Sequence, residues 1–168
     1  MTATTIETPD FTLRAFEPED ADAVTSLISE PEVIRMIPTL PYPYVRTDAK
    51  AFIAEARNRP FCWAIATDRA IGGVAIGSEL GYWLGRPYWG RGLVTQAATI
   101  AIDAFFAARD AAEIPSGHLQ DNSASRRVLN KLGFVETGRR LVYSNCRRGE
   151  VERVDMRLLR ADWERRAA

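Results

Sequence analysis

The sequence predicts an α+β fold, in which a mixed, mostly antiparallel sheet is flanked by helices. The chain has 168 residues, of which 46% are hydrophobic and 26% are charged, as expected for one globular domain. Strand-like segments outnumber helical ones and several follow one another directly, so the order is not a repeating βαβ unit. We find no internal repeat or linker, and we therefore predict a single domain over residues 1–168.

The N-terminal part of the chain predicts a strand followed by a helix. Residues 11–16 (FTLRAF) alternate between apolar and polar side chains, as a half-buried strand does. Residues 17–28 repeat apolar side chains on one helical face, and Pro18 suits the first turn of that helix.

A loop and a second helix come next. Residues 38–44 (PTLPYPY) contain three prolines, which lack the N–H needed for regular structure, so we predict a loop with two exposed tyrosines. Residues 46–58 predict a helix, with Thr47 or Asp48 as its N-cap.

Three strands in quick succession form the centre of the predicted sheet. They cover residues 61–67, 70–77 and 79–84, and glycines mark the turns or bulges between them. Apolar residues then recur at helical spacing, which predicts a long helix over residues 91–109.

The last third of the chain predicts one helix among three strands. Residues 114–120 are a short strand candidate, and the helix that follows begins at Asn122 or Ser123 and is closed by Gly133 in the C′ position. Two segments within residues 134–159 predict a final antiparallel pair.

Charge and composition exclude several classes of function. Lys and Arg number 22 and balance 22 Asp and Glu, so we expect neither nucleic acid nor an anionic membrane as a partner. No apolar window is long enough to span a membrane, and the N-terminus lacks the pattern of a signal peptide. Cys62 and Cys146 have no CxxC spacing, which favours a reducing cytoplasm, and His118 has no partner at zinc-ligand spacing, so we expect no metal.

The stretch RPYWGRGLVTQA combines two glycines with the start of a helix. Gly90 and Gly92 lack a Cβ, so backbone N–H groups near them can approach a ligand closely, and the helix dipole adds to their attraction for an anion. The chain has no GxxxxGK[ST] motif, and a third glycine at dinucleotide-binding spacing is missing. By itself, this stretch indicates either a phosphate site or a tight corner between a strand and a helix.

A second stretch, DNSASRRVLNKLGF, places polar residues at the start of an amphipathic helix. Asn122 and Ser125 are three residues apart, and Ser125 lies at the top of the apolar stripe, directed toward the core or a cleft. The alternative is that Asn122 is an N-cap and that Ser125 fills a first-turn position.

Together these two stretches resemble the GNAT superfamily of acyl-CoA-dependent N-acetyltransferases, and in particular its RimJ/RimL-like branch. The resemblance extends to LRAFEPEDADAV, PYPYVRTDAKAFI, IGGVAIGSELGYWL and DMRLLRADW, so it covers nearly the whole chain. It implies the GNAT fold and acetyl-CoA as cofactor. The family's pyrophosphate loop, Q/R-x-x-G-x-G/A, aligns with Trp89 at its first position, Gly92 at its glycine and Val94, which is larger than usual, at its last.

The resemblance also implies how the cofactor binds. Pyrophosphate is expected on the loop amides, and pantetheine is expected along the strand that ends at Leu84. Asn122 matches the asparagine that bonds the pantetheine arm, and Ser125 matches a serine near the thioester sulfur. The predicted cofactor-binding residues are Tyr82, Trp83, Leu84, Trp89, Gly90, Arg91, Gly92, Leu93, Val94, Thr95, Asn122, Ser125 and Lys131.

Acetyl transfer to an amine requires a neutral nucleophile, a polarised carbonyl and a stabilised thiolate. We predict Glu79 as the base, on the cofactor strand, and Ser125 as the donor to the departing sulfur. A backbone N–H near Trp83 or Leu84 is expected to stabilise the oxyanion. Tyr143 is a weaker alternative acid.

The acceptor is expected to be a protein N-terminal amine or a small-molecule amine. Its predicted wall residues are Tyr42, Tyr44, Trp83 and Tyr143, although each is equally compatible with a core or surface aromatic. The predicted protein is a monomer or homodimer. A non-catalytic GNAT-fold module that senses acyl-CoA or binds a partner is the alternative function.

Overall fold

The computed structural model describes residues 3–167 and shows eight strands in two sheets, flanked by helices. The first sheet has the order β1-β2-β3-β4-β5 and the second has the order β6-β8-β7, and every pair is antiparallel. The strands are β1 (Ile6–Glu7), β2 (Thr12–Arg14), β3 (Cys62–Ala66), β4 (Ala70–Ile76), β5 (Leu80–Leu84), β6 (Glu113–Leu119), β7 (Val135–Ser144) and β8 (Gly149–Leu159). The predicted α+β class is therefore confirmed.

Within residues 3–167, six α-helices cover the sheets. They are α1 (Ala21–Ile28), α2 (Pro31–Ile34), α3 (Arg46–Ala56), α4 (Leu93–Ala108), α5 (Ser123–Leu132) and α6 (Arg160–Ala167), with 3₁₀ turns at Pro18–Asp20 and Arg86–Tyr88. All the helices predicted from periodicity are present. The sequence reasoning missed β1 and α2, which have only two and four residues, and α6, an eight-residue helix that follows β8 directly.

The predicted cap of α3 is wrong. The N-cap is Val45, whose extended backbone precedes the helix, and Asp48 lies inside the first turn. The Asp48 carboxylate accepts a 2.9 Å hydrogen bond from the Val45 N–H, reaching back across that turn. A valine with no capping oxygen carries no sequence signal as an N-cap, which explains the error.

Two apolar clusters cover the two faces of the first sheet. Strand β3 is buried on both sides, and its side chains alternate between the clusters: Trp63 and Ile65 pack with α4 and α5, whereas Cys62 and Ala64 pack with α1 and α3. We call these the α4 face and the α1 face. The α4 face is shared with the second sheet, because Met156 and Leu158 of β8 belong to the same cluster.

A buried ion pair joins β2 to α1 and β4. Asp20 is 2% exposed and accepts two hydrogen bonds from the Arg14 guanidinium, at 2.8 and 2.9 Å. It also accepts bonds from the backbone N–H groups of Glu17 and Ala70, both at 2.9 Å. One carboxylate therefore connects β2, the start of α1 and β4.

The two sheets adjoin at the start of β5 without sharing a ladder. The hydroxyl of Ser116 on β6 donates to the Leu80 carbonyl of β5 at 2.9 Å. Strands β5 and β6 belong to separate sheets, so the outer edge of β5 beyond Leu80 has no strand partner within residues 3–167. The predicted site residues lie on this edge of β5, in the loop that follows it and at the N-terminus of α5.

None of the helices in the described residues has the length and apolar character required to cross a membrane.

Candidate active site

The loop between β5 and α4 presents a run of free backbone donors. Gly90 and Gly92 have φ values of +75° and +73°, and a Cβ at either position would face open space. Within residues 3–167, the N–H groups of residues 90–95 have no hydrogen-bond acceptor, whereas Gln96 donates to the Gly92 carbonyl at 3.1 Å. Six consecutive amides at a helix N-terminus form an anion-binding arrangement.

The side chain of Trp89 fixes this loop against β5. Its indole N–H donates to the Leu84 carbonyl at 2.8 Å, and the residue is 45% exposed. The polar atom of Trp89 is thus used within the protein, which leaves its ring surface for any ligand contact.

The backbone of β5 alternates between groups that pair with β4 and groups that face outward. Gly77 N–H donates to the Glu79 carbonyl, and Gly85 N–H donates to the Ile71 carbonyl, so the odd-numbered residues of this strand pair with β4. The N–H and C=O of Tyr82, and the N–H of Leu84, therefore face the open edge. The N–H of Trp83 faces β4 and bonds to it. Of the two N–H groups predicted as oxyanion donors, only that of Leu84 therefore faces the open edge.

The side chain of Tyr82 lies under this edge and contacts α5. Its hydroxyl is 2.7 Å from Ser125 Oγ and 3.3 Å from the Ser125 carbonyl oxygen. Burial raises the pKa of Tyr82 to about 12, and the hydrogen bond with Ser125 only partly offsets that effect. The predicted serine therefore has an aromatic partner 43 residues earlier in the chain, which no local pattern could indicate.

Asn122 is the N-cap of α5, which was one of the two roles that the sequence indicated for it. Its Oδ1 accepts a 3.1 Å bond from the Ser125 N–H. Because the cap uses only the oxygen, the Asn122 side-chain NH₂ has no partner within the described residues, and it lies at the same end of α5 as Ser125.

Glu79 lies in the β4–β5 turn rather than on the strand itself, directly before Leu80. Both of its oxygens accept hydrogen bonds from the Arg153 guanidinium of β8, one of them at 3.2 Å. Arg153 also contacts Asp155 at 2.9 Å. A Cβ on Gly117 would come within 2.6 Å of the Arg153 guanidinium, so the glycine leaves room for this arginine.

The four predicted acceptor-wall aromatics lie in different environments. Trp83 packs on the α1 face and Tyr42 is 50% exposed. Tyr44 was expected to be exposed, but it is 6% exposed because it packs into the α1-face cluster. Its hydroxyl has no partner among the described residues, and burial raises its pKa to about 12. Tyr143 pairs with Glu150, three residues from Arg153, so it lies on the opposite face of the second sheet from Arg153.

The β7–β8 turn packs onto the segment after α2, a junction that the sequence reasoning missed. Asn145 donates to the Leu40 carbonyl at 3.1 Å, and its own N–H donates to the Pro38 carbonyl at 3.0 Å. Arg147 and Arg35 both contact the carboxylate of Asp121, at 2.8 and 3.3 Å. The hydrogen bond from Arg147 lowers the pKa of Asp121, which directly precedes Asn122.

The remaining cations of the predicted site are exposed. Arg91 lies in the glycine loop, and Lys131 lies in the last turn of α5, at the other end of that helix from Asn122. Among the described residues, no group of three or more His, Cys, Asp or Glu side chains forms a metal site.

A cleft of about 610 Å³ lies elsewhere, between the start of β3 and the end of α4. Its lining includes Phe61, Phe105 and Arg109 and none of the predicted site residues. The free amides and the open strand edge, rather than this cleft, therefore define the candidate site.

A glycine loop with free amides, placed between an open strand edge and a capped helix, is an arrangement suited to a phosphate-bearing ligand. Residues 10–135 match the acetyltransferase (GNAT) domain family. The chain belongs to this family, and membership implies acetyl-CoA as the cofactor, in agreement with the prediction from the motifs.

Individual relatives support the same family. The uncharacterized N-acetyltransferase p20 of Bacillus licheniformis is 30% identical, and the match covers 80% of this chain and 84% of that protein. Ribosomal-protein-S5-alanine acetyltransferase from Vibrio fischeri has a TM-score of 0.78 at 20% identity, covering 95% of this chain and 98% of that one. RimJ from Mycobacterium smegmatis, solved with CoA-disulfide, has a TM-score of 0.80 at 20% identity, covering 95% and 87%. These structures share the fold of this protein.

Proposed function

We propose that this protein is an acetyl-CoA-dependent N-acetyltransferase of the RimJ/RimL-like branch, which moves an acetyl group to a primary amine by direct attack in a ternary complex. The amine belongs to a protein N-terminus or to a small molecule. The observation that carries this proposal is the run of free amides at residues 90–95 beside the open edge of β5, in a chain of the GNAT family.

The residues present fit coenzyme A in three places. The amides of residues 90–95 provide donors for the pyrophosphate, and the exposed Arg91 of the same loop adds a positive charge. Lys131, in the last turn of α5, is a more distant candidate for the phosphates of the nucleotide. The outward N–H and C=O of Tyr82 match the amides of pantetheine, as an added strand does at a sheet edge. The third place is the side-chain NH₂ of Asn122, which is free to donate to the pantetheine arm.

When bound, acetyl-CoA supplies the acetyl group as a reactive thioester. Leu84 offers an outward N–H that can stabilise negative charge developing on the carbonyl oxygen. Ser125 provides a hydroxyl for the sulfur that leaves. Holding both reactants beside these donors supplies much of the rate enhancement.

Glu79 is the proposed base, acting through a water, because it immediately precedes the cofactor strand and 42% of its side chain is exposed. Glu79→Gln is expected to lower turnover about tenfold. This is less than the roughly 10²- to 10⁴-fold typical of general base catalysis, because water can also accept the amine's proton. The measurement is kcat at saturating acetyl-CoA.

Glu113→Gln is the matched control for this substitution. Glu113 begins β6, its side chain is 44% exposed, and it also pairs with an arginine of β8, Arg157. Turnover of Glu113→Gln should stay at the wild-type level. If Glu79→Gln also kept wild-type turnover, the role of Glu79 would be structural only, namely to connect the two sheets through its ion pair with Arg153.

Gly92→Val is expected to weaken CoA binding by about tenfold or more. A left-handed residue with a Cβ costs roughly 1–2 kcal/mol, and a β-branched side chain at φ +73° forces the loop into another conformation. Titration calorimetry with CoA measures the effect. Gly138→Val is the control, because its Cβ also faces open space but its φ is not in the left-handed region. Equal affinities in the two variants would contradict the placement of pyrophosphate on this loop.

The acceptor is proposed to bind on the α1-face side of β5, next to Trp83, and the exposed Tyr42 is proposed as a second wall residue. The junction of Arg35, Asp121 and Arg147 lies next to Asn122 and is proposed as a further boundary. Tyr44 contributes as a buried residue behind this surface, whereas Tyr143 remains a weaker candidate because it lies on the other face of its sheet.

Cys62 and Cys146 are free thiols. Free thiols fit a reducing compartment, so we propose a cytoplasmic protein that acts as a monomer or homodimer.

A thiol-release assay with acetyl-CoA tests the proposed function. The acceptors are N-terminal peptides, polyamines and aminoglycosides, and we expect turnover on at least one of them. Tight binding of acetyl-CoA without turnover on any acceptor would instead favour the acyl-CoA-sensing module. Absence of CoA binding would contradict both functions.

A further inference from the structure

The Tyr82–Ser125 pair carries an inference that rests on the proposed function and deepens it. The Ser125 backbone is fixed by its N–H bond to Asn122, so the position of its hydroxyl depends only on rotation about the side chain. That hydroxyl is hydrogen-bonded to the Tyr82 phenol at 2.7 Å.

Ser125 differs from Thr25 and Thr99, two other hydroxyl residues in the helices of this protein. Thr25 and Thr99 each donate back to the carbonyl four residues earlier, at 2.6 and 2.8 Å. This back-bonding is the usual local use of a helical hydroxyl. Ser125 makes no such bond within the described residues, and its oxygen is bonded to a different element, β5.

Tyr82 makes two contacts of different length with Ser125, and the shorter one is compatible with either hydroxyl as the donor. A separation of 2.7 Å is normal for an O–H···O bond, whereas the Ser125 carbonyl is 3.3 Å away. A serine hydroxyl has one donor and two acceptor lone pairs. When the phenol donates to Ser125 Oγ, one lone pair is filled and the serine's own proton must point elsewhere.

We propose that Tyr82 is a positioning residue, whose phenol donates to Ser125 Oγ and thereby directs the serine proton toward the sulfur of bound coenzyme A. The bond stabilises the sulfur as it gains negative charge, and no proton has to leave Tyr82. Because burial raises the pKa of Tyr82 to about 12, the phenol keeps its proton at the pH where an ordinary thiol ionises. Tyr82 thus serves the site twice, through its outward backbone and through its side chain.

The test compares binding of CoA with binding of desulfo-CoA, which lacks only the sulfur, by titration calorimetry at about pH 9. The proteins are wild type, Tyr82→Phe, Ser125→Ala and the double variant. We expect wild type to prefer CoA, and Tyr82→Phe to reduce that preference roughly three- to tenfold, as for one hydrogen bond. The double variant should lose no more preference than Ser125→Ala alone.

Affinity for desulfo-CoA provides the control for folding, and it should be equal in all four proteins. The same non-additivity is expected in kcat. An unchanged preference for CoA in Tyr82→Phe would overturn the inference, as would a further loss when Tyr82→Phe is added to Ser125→Ala. A wild type that binds neither ligand would overturn the proposed function itself and this inference with it.

Discussion

Replacing Asp20 by alanine is expected to lower the free energy of unfolding by about 3–5 kcal/mol, as when one partner of a buried ion pair is removed. The substitution leaves the Arg14 guanidinium, whose side chain is 17% exposed, without its carboxylate. It also leaves the N–H groups of Glu17 and Ala70 without an acceptor. Urea denaturation followed by circular dichroism measures the effect.

Asp22→Ala is the matched control. Asp22 lies two residues further on, in the first turn of α1, and also pairs with an arginine, Arg46, but both side chains are largely exposed, so we expect little change in stability. An equally small change in Asp20→Ala would contradict the role of Asp20 as the connection between β2, α1 and β4.

The same ion pair predicts a dependence on pH. Burial alone would raise the pKa of Asp20, but the bonds from Arg14, Glu17 and Ala70 outweigh it, so the pKa is lowered in the folded protein. The carboxylate therefore contributes its full stabilisation above the unfolded pKa of about 3.9, and that contribution is lost as the pH falls through the folded pKa. Asp20→Ala should lack this part of the acid destabilisation seen in wild type.

Ser125→Ala is expected to lower turnover about a hundredfold, at the lower end of the range for a positioned acid, and to change CoA affinity little near neutral pH. The hydroxyl acts mainly as the sulfur gains charge, so its loss affects kcat more than binding of the neutral thiol. Steady-state kinetics and calorimetry together make this measurement.

Ser123→Ala is the control for Ser125→Ala, because Ser123 is the exposed first residue of the same helix. We expect its turnover to match wild type. Unchanged turnover in Ser125→Ala would remove Ser125 from the proposed chemistry and would leave Asn122 and Ser125 as a helix cap and its neighbour.

Local chemistry explains which features could be predicted from the sequence. Gly90, Gly92 and Gly133 all have positive φ, a conformation that favours glycine, and each was assigned to a loop or helix end. Asn122 was recognised as a possible N-cap because its amide oxygen suits that position. These assignments need only a few neighbouring residues.

Contacts between distant residues could not be predicted in this way. Arg153 meets Glu79 across 74 residues and Tyr82 meets Ser125 across 43, and neither pair has a spacing that marks it. Tyr44 is the last residue of a proline-rich loop, a position that indicates exposure, but its ring packs into the α1-face cluster. Tertiary packing, rather than local preference, decides each of these positions.

The measurement that tests the central claim most directly is a titration of ¹⁵N-labelled protein with CoA, followed by two-dimensional NMR. The account predicts that the amide signals of residues 90–95, together with those of Tyr82 and Leu84, shift and saturate, while those of β7 stay in place. Saturable CoA binding that left the signals of residues 90–95 unmoved would contradict it.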